Sequence, residues 1–175
     1  MPEPQDEQSC FTIGNKWLPV MFEMVVGRKC DYEDEKDRRF IQCIICLLQC
    51  YGVPIGDYGF DLLKRGVFSL ELLDDLHYEL YERKKKPTYR EIDPYFKRKI
   101  TIVRKYVTKN CAPYEPLEYM EALSICCLLH IKYVWDKNWR DLAKEYEKNR
   151  KKYGFAVDSK LAEKAAKEIR KRFKA

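Results

Sequence analysis

Glycine is scarce in this 175-residue sequence: there are 7 residues of it, beside 8 prolines. That is too few for an architecture of many tight β-turns, and it favours helices. Histidine is scarcer still. His77 and His130 are the only two, so a histidine-based metal centre or catalytic triad has almost nothing to be built from. No apolar run approaches the ~18 residues of a membrane span. The opening MPEPQDEQSC is acidic and polar, without the basic patch and apolar run of a secretory signal. The sequence has no GxxxxGK[ST] phosphate loop, no GxSxG elbow, no HExxH and no GxGxxG. These absences predict a soluble, cytoplasmic chain that is not an enzyme and uses no cofactor, metal or membrane.

What is present suits one domain. The hydrophobic fraction is 46%, enough for a single core, and aromatics reach 14%, with 13 tyrosines. Tyrosine has an apolar body and a polar tip, so these rings suit a core edge or an interface. Of the 8 cysteines, Cys43, Cys46, Cys50, Cys126 and Cys127 lie inside apolar helical runs. They read as reduced thiols acting as small core hydrophobes. Cys43 and Cys46 form a CxxC, but isoleucine and leucine flank it, and no second pair at matching spacing supplies the remaining zinc ligands. Charge is polarised: residues 1–80 carry 8 Lys/Arg against 15 Asp/Glu, a net −7, while residues 81–175 carry 26 against 13, a net +13. The basic half suits nucleic acid or an acidic protein.

Periodicity predicts a mainly α fold: a compact single-domain helical bundle with one short β element. Residues 1–10 read as disordered and 11–175 as the domain. A first helix spans about 15–27 and ends near Gly27. Asp31 or Asp34 is placed to cap a central, buried helix over RRFIQCIICLLQCY (38–51), which Gly52 and Pro54 stop. Residues 52–68 form a glycine-rich structured loop with a short strand across Tyr58–Leu63. Ser69 caps a helix over about 70–84, with Leu72, Leu73, Leu76, Leu80 and Tyr81 on one face. A basic, proline-interrupted connector occupies about 84–112; within it ITIVRKYV (100–107) fits a strand or a helix. LEYMEALSICCLLHIKYVW (117–135) is a second strongly apolar helix. Residues 139–151 form an amphipathic helix, and Asp158 or Ser159 caps a last one carrying Leu161, Ala165, Ile169 and Phe173 in one stripe.

His77 reads as a surface side chain and His130 as a satisfied core-edge one. The acids Glu71, Asp74 and Asp75, and the pair Glu118–Glu121, read as solvated faces. The basic runs Arg83–Lys86, Lys97–Lys99, Lys148–Lys152 and Arg170–Lys174, with Tyr89, Tyr95, Phe96 and Tyr153 among them, carry the nucleic-acid signal. Its candidate residues are Lys97, Arg98, Lys148, Arg150, Lys151 and Lys152. Tyr58, Phe60 and Phe68 cluster in the glycine-rich loop, and Trp135 and Trp139 flank a helix junction. Large rings beside arginine are the usual anchors of a protein interface, while Phe60 and Trp135 read as plugs of the domain core.

Taken in order, RRFIQCIICLLQCYGVPIGDYGFDLLKRGVFSLELLDDLHYEL, LEYMEALSICCLLHIKYVW and VDSKLAEKAAKEI resemble the Panacea-domain superfamily and its YwgA-like relatives. The resemblance covers roughly residues 25–80 and 117–173. It rests on a leucine-rich helix, the turn Gly52-Val53-Pro54-Ile55, the aromatic loop Tyr58-Gly59-Phe60 and the following Arg65-Gly66-Val67-Phe68-Ser69. Val67 stands where those relatives carry proline, and Gln42-Cys43 where they carry a Gln-Lys pair. The resemblance implies a non-enzymatic helical domain. It also implies an antitoxin-like role in toxin–antitoxin or phage-defence systems, neutralising a toxin by direct binding. On that footing the partner-binding residues are Tyr58, Phe60, Arg65, Gly66, Phe68 and Asp75, and the partner is a protein. The alternative is nucleic-acid binding by the basic C-terminal half.

Overall fold

Most helices of the described residues begin where a side chain accepts from a first-turn amide, and two, at Leu18 and Pro116, begin instead with a proline in the first turn. The computed structural model describes residues 14–84, 92–134, 138–155 and 158–173. The N-terminal ten residues, Lys85, Lys86, Tyr89 and Trp135 lie outside them. A single 3₁₀ turn, Asn15–Trp17, leads into α1 (Leu18–Val26), which ends at Gly27. Asp34 accepts from the Lys36 amide to start α2 (Glu35–Cys50). Two strands follow, β1 (Asp61–Leu63) and β2 (Gly66–Phe68), paired antiparallel with Leu62 opposite Val67. Ser69 caps α3 (Leu70–Tyr81), and Asp93 caps α4 (Pro94–Thr108). α5 (Pro116–Leu129) runs on into a π-helical turn, His130–Val134. Asn138 caps α6 (Trp139–Tyr153) and Asp158 caps α7 (Ser159–Arg172). The fold is mainly α with one short β hairpin, as the periodicity predicts.

Several boundaries differ from the sequence-based expectation. The strand expected across Tyr58–Leu63 is confined to Asp61–Leu63 and finds its partner in Gly66–Phe68. Much of the expected basic connector is α4, which begins at Pro94, a favoured first helical residue. Its Phe96, Ile100, Val103 and Tyr106 recur at helical spacing and are buried against α1 and α5. The β-branched alternation at 100–103 is therefore overruled by a burial pattern of period 3.6. α3 also stops at Tyr81, short of Lys84, and Tyr81 is exposed.

The core is built on α2 and α5, which run parallel. Arg39 pairs with Glu121, and the Cys46 thiol lies 3.9 Å from the Ser124 carbonyl, so both chains advance together. Every residue from Tyr119 to Leu129 is buried. A helix apolar all round must be enclosed on all sides, and α2, α4, α6, α7 and β2 enclose it. A hydroxyl chain ties the outer helices to this centre: Tyr51 bonds Tyr106 at 2.8 Å, and Tyr106 donates to Glu168 of α7 at 2.9 Å.

Among the described residues three carboxylates are buried, each with an arginine: Asp37 with Arg28, Glu79 with Arg83, and Glu121 with Arg39. Glu121 therefore does not lie on a solvated face, as expected from its pairing with Glu118; burial raises its pKa and Arg39 opposes that rise. No helix of the described residues is long and apolar enough to cross a membrane.

Candidate functional site

The β1–β2 hairpin turns through Lys64 and Arg65. Gly66 closes the turn at φ +107°, and a side chain there would also meet Ile125 of α5 at 3.7 Å. Gln42 anchors the hairpin's far end. Its amide donates to the Ser69 carbonyl and its oxygen accepts from the Ser69 amide, both at 2.9 Å and both buried. A polar residue in the middle of an apolar helix is thus matched to a backbone segment that has no sheet neighbour of its own. Between hairpin, α2 and α3 a groove of about 280 Å³ opens. Its floor is Leu63, Val67, Phe68 and Leu73; its rim is Arg38, Arg39, Lys64 and Arg65, with Glu35 as the one lining carboxylate. Leu63 is 46% exposed, a large apolar side chain facing water. Arg65 pairs with Glu35 on the surface, and Arg39 with the buried Glu121. The Arg39 Nε is buried without a hydrogen-bond partner among the described residues.

The sequence-derived partner-binding residues divide between this groove and the core. Arg65, Gly66 and Phe68 line it together. Tyr58 and Phe60 do not; they are buried, and their rings belong to the core. Gln49 holds the Tyr58 backbone through its amide, and the Tyr58 hydroxyl donates to Asp75 at 2.7 Å. Asp75 therefore secures the loop, and burial beside that carboxylate pushes the Tyr58 phenol far up. Gly56 lets the Tyr58 ring lie close, since a Cβ there would stand 2.8 Å from it. Leu63, Arg38, Arg39 and Gln42 are groove residues that the sequence reading missed. The lone glutamine inside FIQCIICLL was the available signal for one of them.

The residues of the nucleic-acid reading are dispersed. Lys97 and Arg98 sit on α4, with Arg98 exposed. Arg150 is turned to Glu147 at 3.2 Å, and Lys152 lies over the Tyr153 ring. Lys148 and Lys151 join Arg140 and Lys144 in one stripe along α6. On α7 the positions Lys160, Lys164, Lys167 and Lys171 form a second stripe. The buried side of α7 is Leu161, Ala162, Ala165, Ala166 and Ile169, which places these lysines on the opposite face.

Among the described residues no group of three or more His, Cys, Asp or Glu side chains is arranged to hold a metal. The described cysteines are free thiols. Burial raises Cys43, Cys46, Cys126 and Cys127, with hydrogen bonding to Cys50 the larger cause at Cys46. Half-buried Cys50 differs: hydrogen bonds from the Cys127 and Cys46 thiols pull its pKa below that of a free thiol. Thiolate, not thiol, is the nucleophile. At pH 7, iodoacetamide is therefore expected to label Cys50 ahead of the other α2 and α5 cysteines, as peptide mass spectrometry would read. His130 is buried and stacked on Phe173 at 4.6 Å, and its Nδ1 has no hydrogen-bond partner among the described residues. It is thus a core histidine but not a fully satisfied one. Burial lowers its pKa, with Arg170 adding to the effect. His77 is exposed and stands edge-on to Tyr32 at 5.2 Å.

No protein-family model matches this chain, and no curated protein or solved structure matches it.

Proposed function

We propose that this protein is a non-enzymatic protein-binding module, antitoxin-like in mode of action, that holds an acidic segment of its partner in the groove beside the β hairpin. The observation that carries this reading is the groove's composition. An apolar floor with exposed Leu63 lies inside a rim of four cations and one carboxylate, Glu35, and one of the cations, Arg39, has a buried Nε without a partner among the described residues. Protein interfaces have this anatomy: an apolar centre, arginine enriched, a charged rim that selects the partner. A partner carboxylate would meet the Arg38–Arg39–Arg65 cluster while an apolar side chain next to it covers Leu63 and Phe68. The resemblance to Panacea-domain proteins points to the same class of activity, and three of the residues it singled out, Arg65, Gly66 and Phe68, lie in this groove.

The test compares variants, since capture of some protein is not enough. Tagged wild-type chain and the pair variant Arg65→Glu/Phe68→Ala are used to capture partners from native extract treated with nuclease. A protein retained by the wild type and reduced at least tenfold by the variant, with an unchanged helical circular dichroism spectrum, supports the groove. Binding is then repeated with the purified partner alone. For the antitoxin-like mode, that partner expressed by itself should arrest growth, and co-expression with the wild-type chain should relieve the arrest. Equal retention by both chains would reject the groove as the binding surface.

A further inference from the structure

A second surface has a different chemistry. α6 and α7 form an antiparallel hairpin: Ser159 donates to Glu147 at 2.8 Å, and Lys167 lies 4.5 Å over the Trp139 ring. Residues 139–173 carry 12 Lys/Arg against 6 Asp/Glu. The cations are ordered in two rows, Arg140, Lys144, Lys148 and Lys151 on one helix and Lys160, Lys164, Lys167 and Lys171 on the other. The carboxylates are partly used internally, Glu147 by Arg150 and Ser159, Glu168 by Arg172 and Tyr106. Among the described residues no ion pair engages a lysine of either row.

We infer that the outward face of the α6–α7 hairpin binds the phosphate backbone of a nucleic-acid duplex without reading its sequence. Three features choose this occupant over an acidic protein or a single strand. Lysine dominates the face, and lysine is depleted from protein interfaces but serves as a point charge for phosphate. Each row extends over 11 residues, about 16 Å at the helical rise of ~1.5 Å. The rows lie on neighbouring, antiparallel helices. Finally, the ring of Trp139 has Arg140 at 5.0 Å and Lys167 at 4.5 Å from its centroid, so it is not free as the open stacking platform that single-strand binders use. The hairpin groove of the proposed function has the opposite character, arginine around an apolar floor, and the two surfaces share no residue.

The experiment is fluorescence anisotropy of the full chain with a labelled 20-base-pair duplex between 50 and 200 mM salt. If four lysines meet phosphates, affinity should fall about 150-fold over that range, a log–log slope near −3.6. The exposed-site variant Lys160→Gln/Lys167→Gln/Lys171→Gln, whose replacements keep helix propensity, should bind at least tenfold more weakly at 100 mM salt and lower the slope by about 3. The control Arg104→Gln/Lys105→Gln on α4 should bind as the wild type does, and so should Arg65→Glu/Phe68→Ala, which separates this surface from the groove. Absence of binding at 50 mM salt, or unchanged binding by the triple variant, would overturn the inference. Tighter binding of polyglutamate than of the duplex at equal charge concentration would also overturn it, in favour of an acidic protein.

Discussion

Replacing Gln42 by leucine is expected to destabilise the fold by about 2–4 kcal/mol, because it strands two buried backbone groups. Leucine has nearly the volume of glutamine, so the loss is not one of packing. Gln42 supplies the hydrogen-bond partners of both the amide and the carbonyl of Ser69, at 2.9 Å each. Ser69 is buried, so water cannot replace them. A buried donor or acceptor left unmade costs roughly 1–3 kcal/mol. Ser69 is also the cap of α3, accepting from the Leu72 amide at 3.3 Å, and it directly follows β2. Freeing it loosens the hairpin, the α3 start and the groove together. Chemical denaturation of the purified variant measures the first effect, and faster amide exchange at residues 61–72 than at 119–129 would show that the loosening is local. A variant as stable as the wild type would mean that the Ser69 backbone finds other partners.

Asp37→Asn is expected to cost about 2–3 kcal/mol at pH 7, the scale of buried hydrogen bonds to a charged group. The Asp37 side chain is fully buried. It accepts two hydrogen bonds from the Arg28 guanidinium, at 2.6 and 2.7 Å, and one from the Asp31 amide at 2.8 Å. Together these hold the segment between α1 and α2. Arg28 is about half exposed, so its charge returns to water when the partner is lost, and the cost stays below that of stranding a buried ion. Burial by itself would raise the Asp37 pKa; the Arg28 and Asp31 hydrogen bonds outweigh it and hold the carboxyl below the usual range. The folded value therefore lies below the unfolded one, near 3.9. The stabilisation is complete above about pH 4 to 5 and is lost as pH falls through the folded value. Urea unfolding of both chains from pH 8 to pH 3 should show a constant gap down to about pH 5 that narrows below it. A gap independent of pH would mean that Asp37 contributes only shape.

The charge asymmetry of the chain does not map onto its surfaces along the boundary that a count by halves implies. The net −7 segment contains the cations of the hairpin groove, because Arg38, Arg39, Lys64 and Arg65 come together there while many of its acids point elsewhere or are neutralised inside. Asp37 and Glu79 are buried with arginines, and Asp75 serves Tyr58. Net charge of a segment is a sum over sequence; the field at a surface depends on which side chains reach it.

Caps and periodicity determined most of the helical plan without the structure. Asp34, Ser69 and Asp158 start helices where their oxygens are needed, and the apolar runs around 41–48 and 119–129 became the buried pair α2 and α5. These are local rules: a capping oxygen acts within three residues, and a helical stripe repeats within four. Arg65, Gly66 and Phe68, singled out through the family resemblance, line one groove together. Tertiary structure decided what depends on distant partners. It turned Tyr58 into the core beside Phe60, because burial depends on what α3 and α2 bring against the loop. It made helix α4 from an ambiguous segment, by burying Ile100 and Val103. It set Gln42 against Ser69, 27 residues away, and Arg39 against Glu121, 82 away, and so placed the groove. It also brought α6 and α7 side by side, with Ser159 on Glu147 and Lys167 over Trp139. No window of the sequence contains both members of such a pair, and a charge or hydrogen bond acts through space.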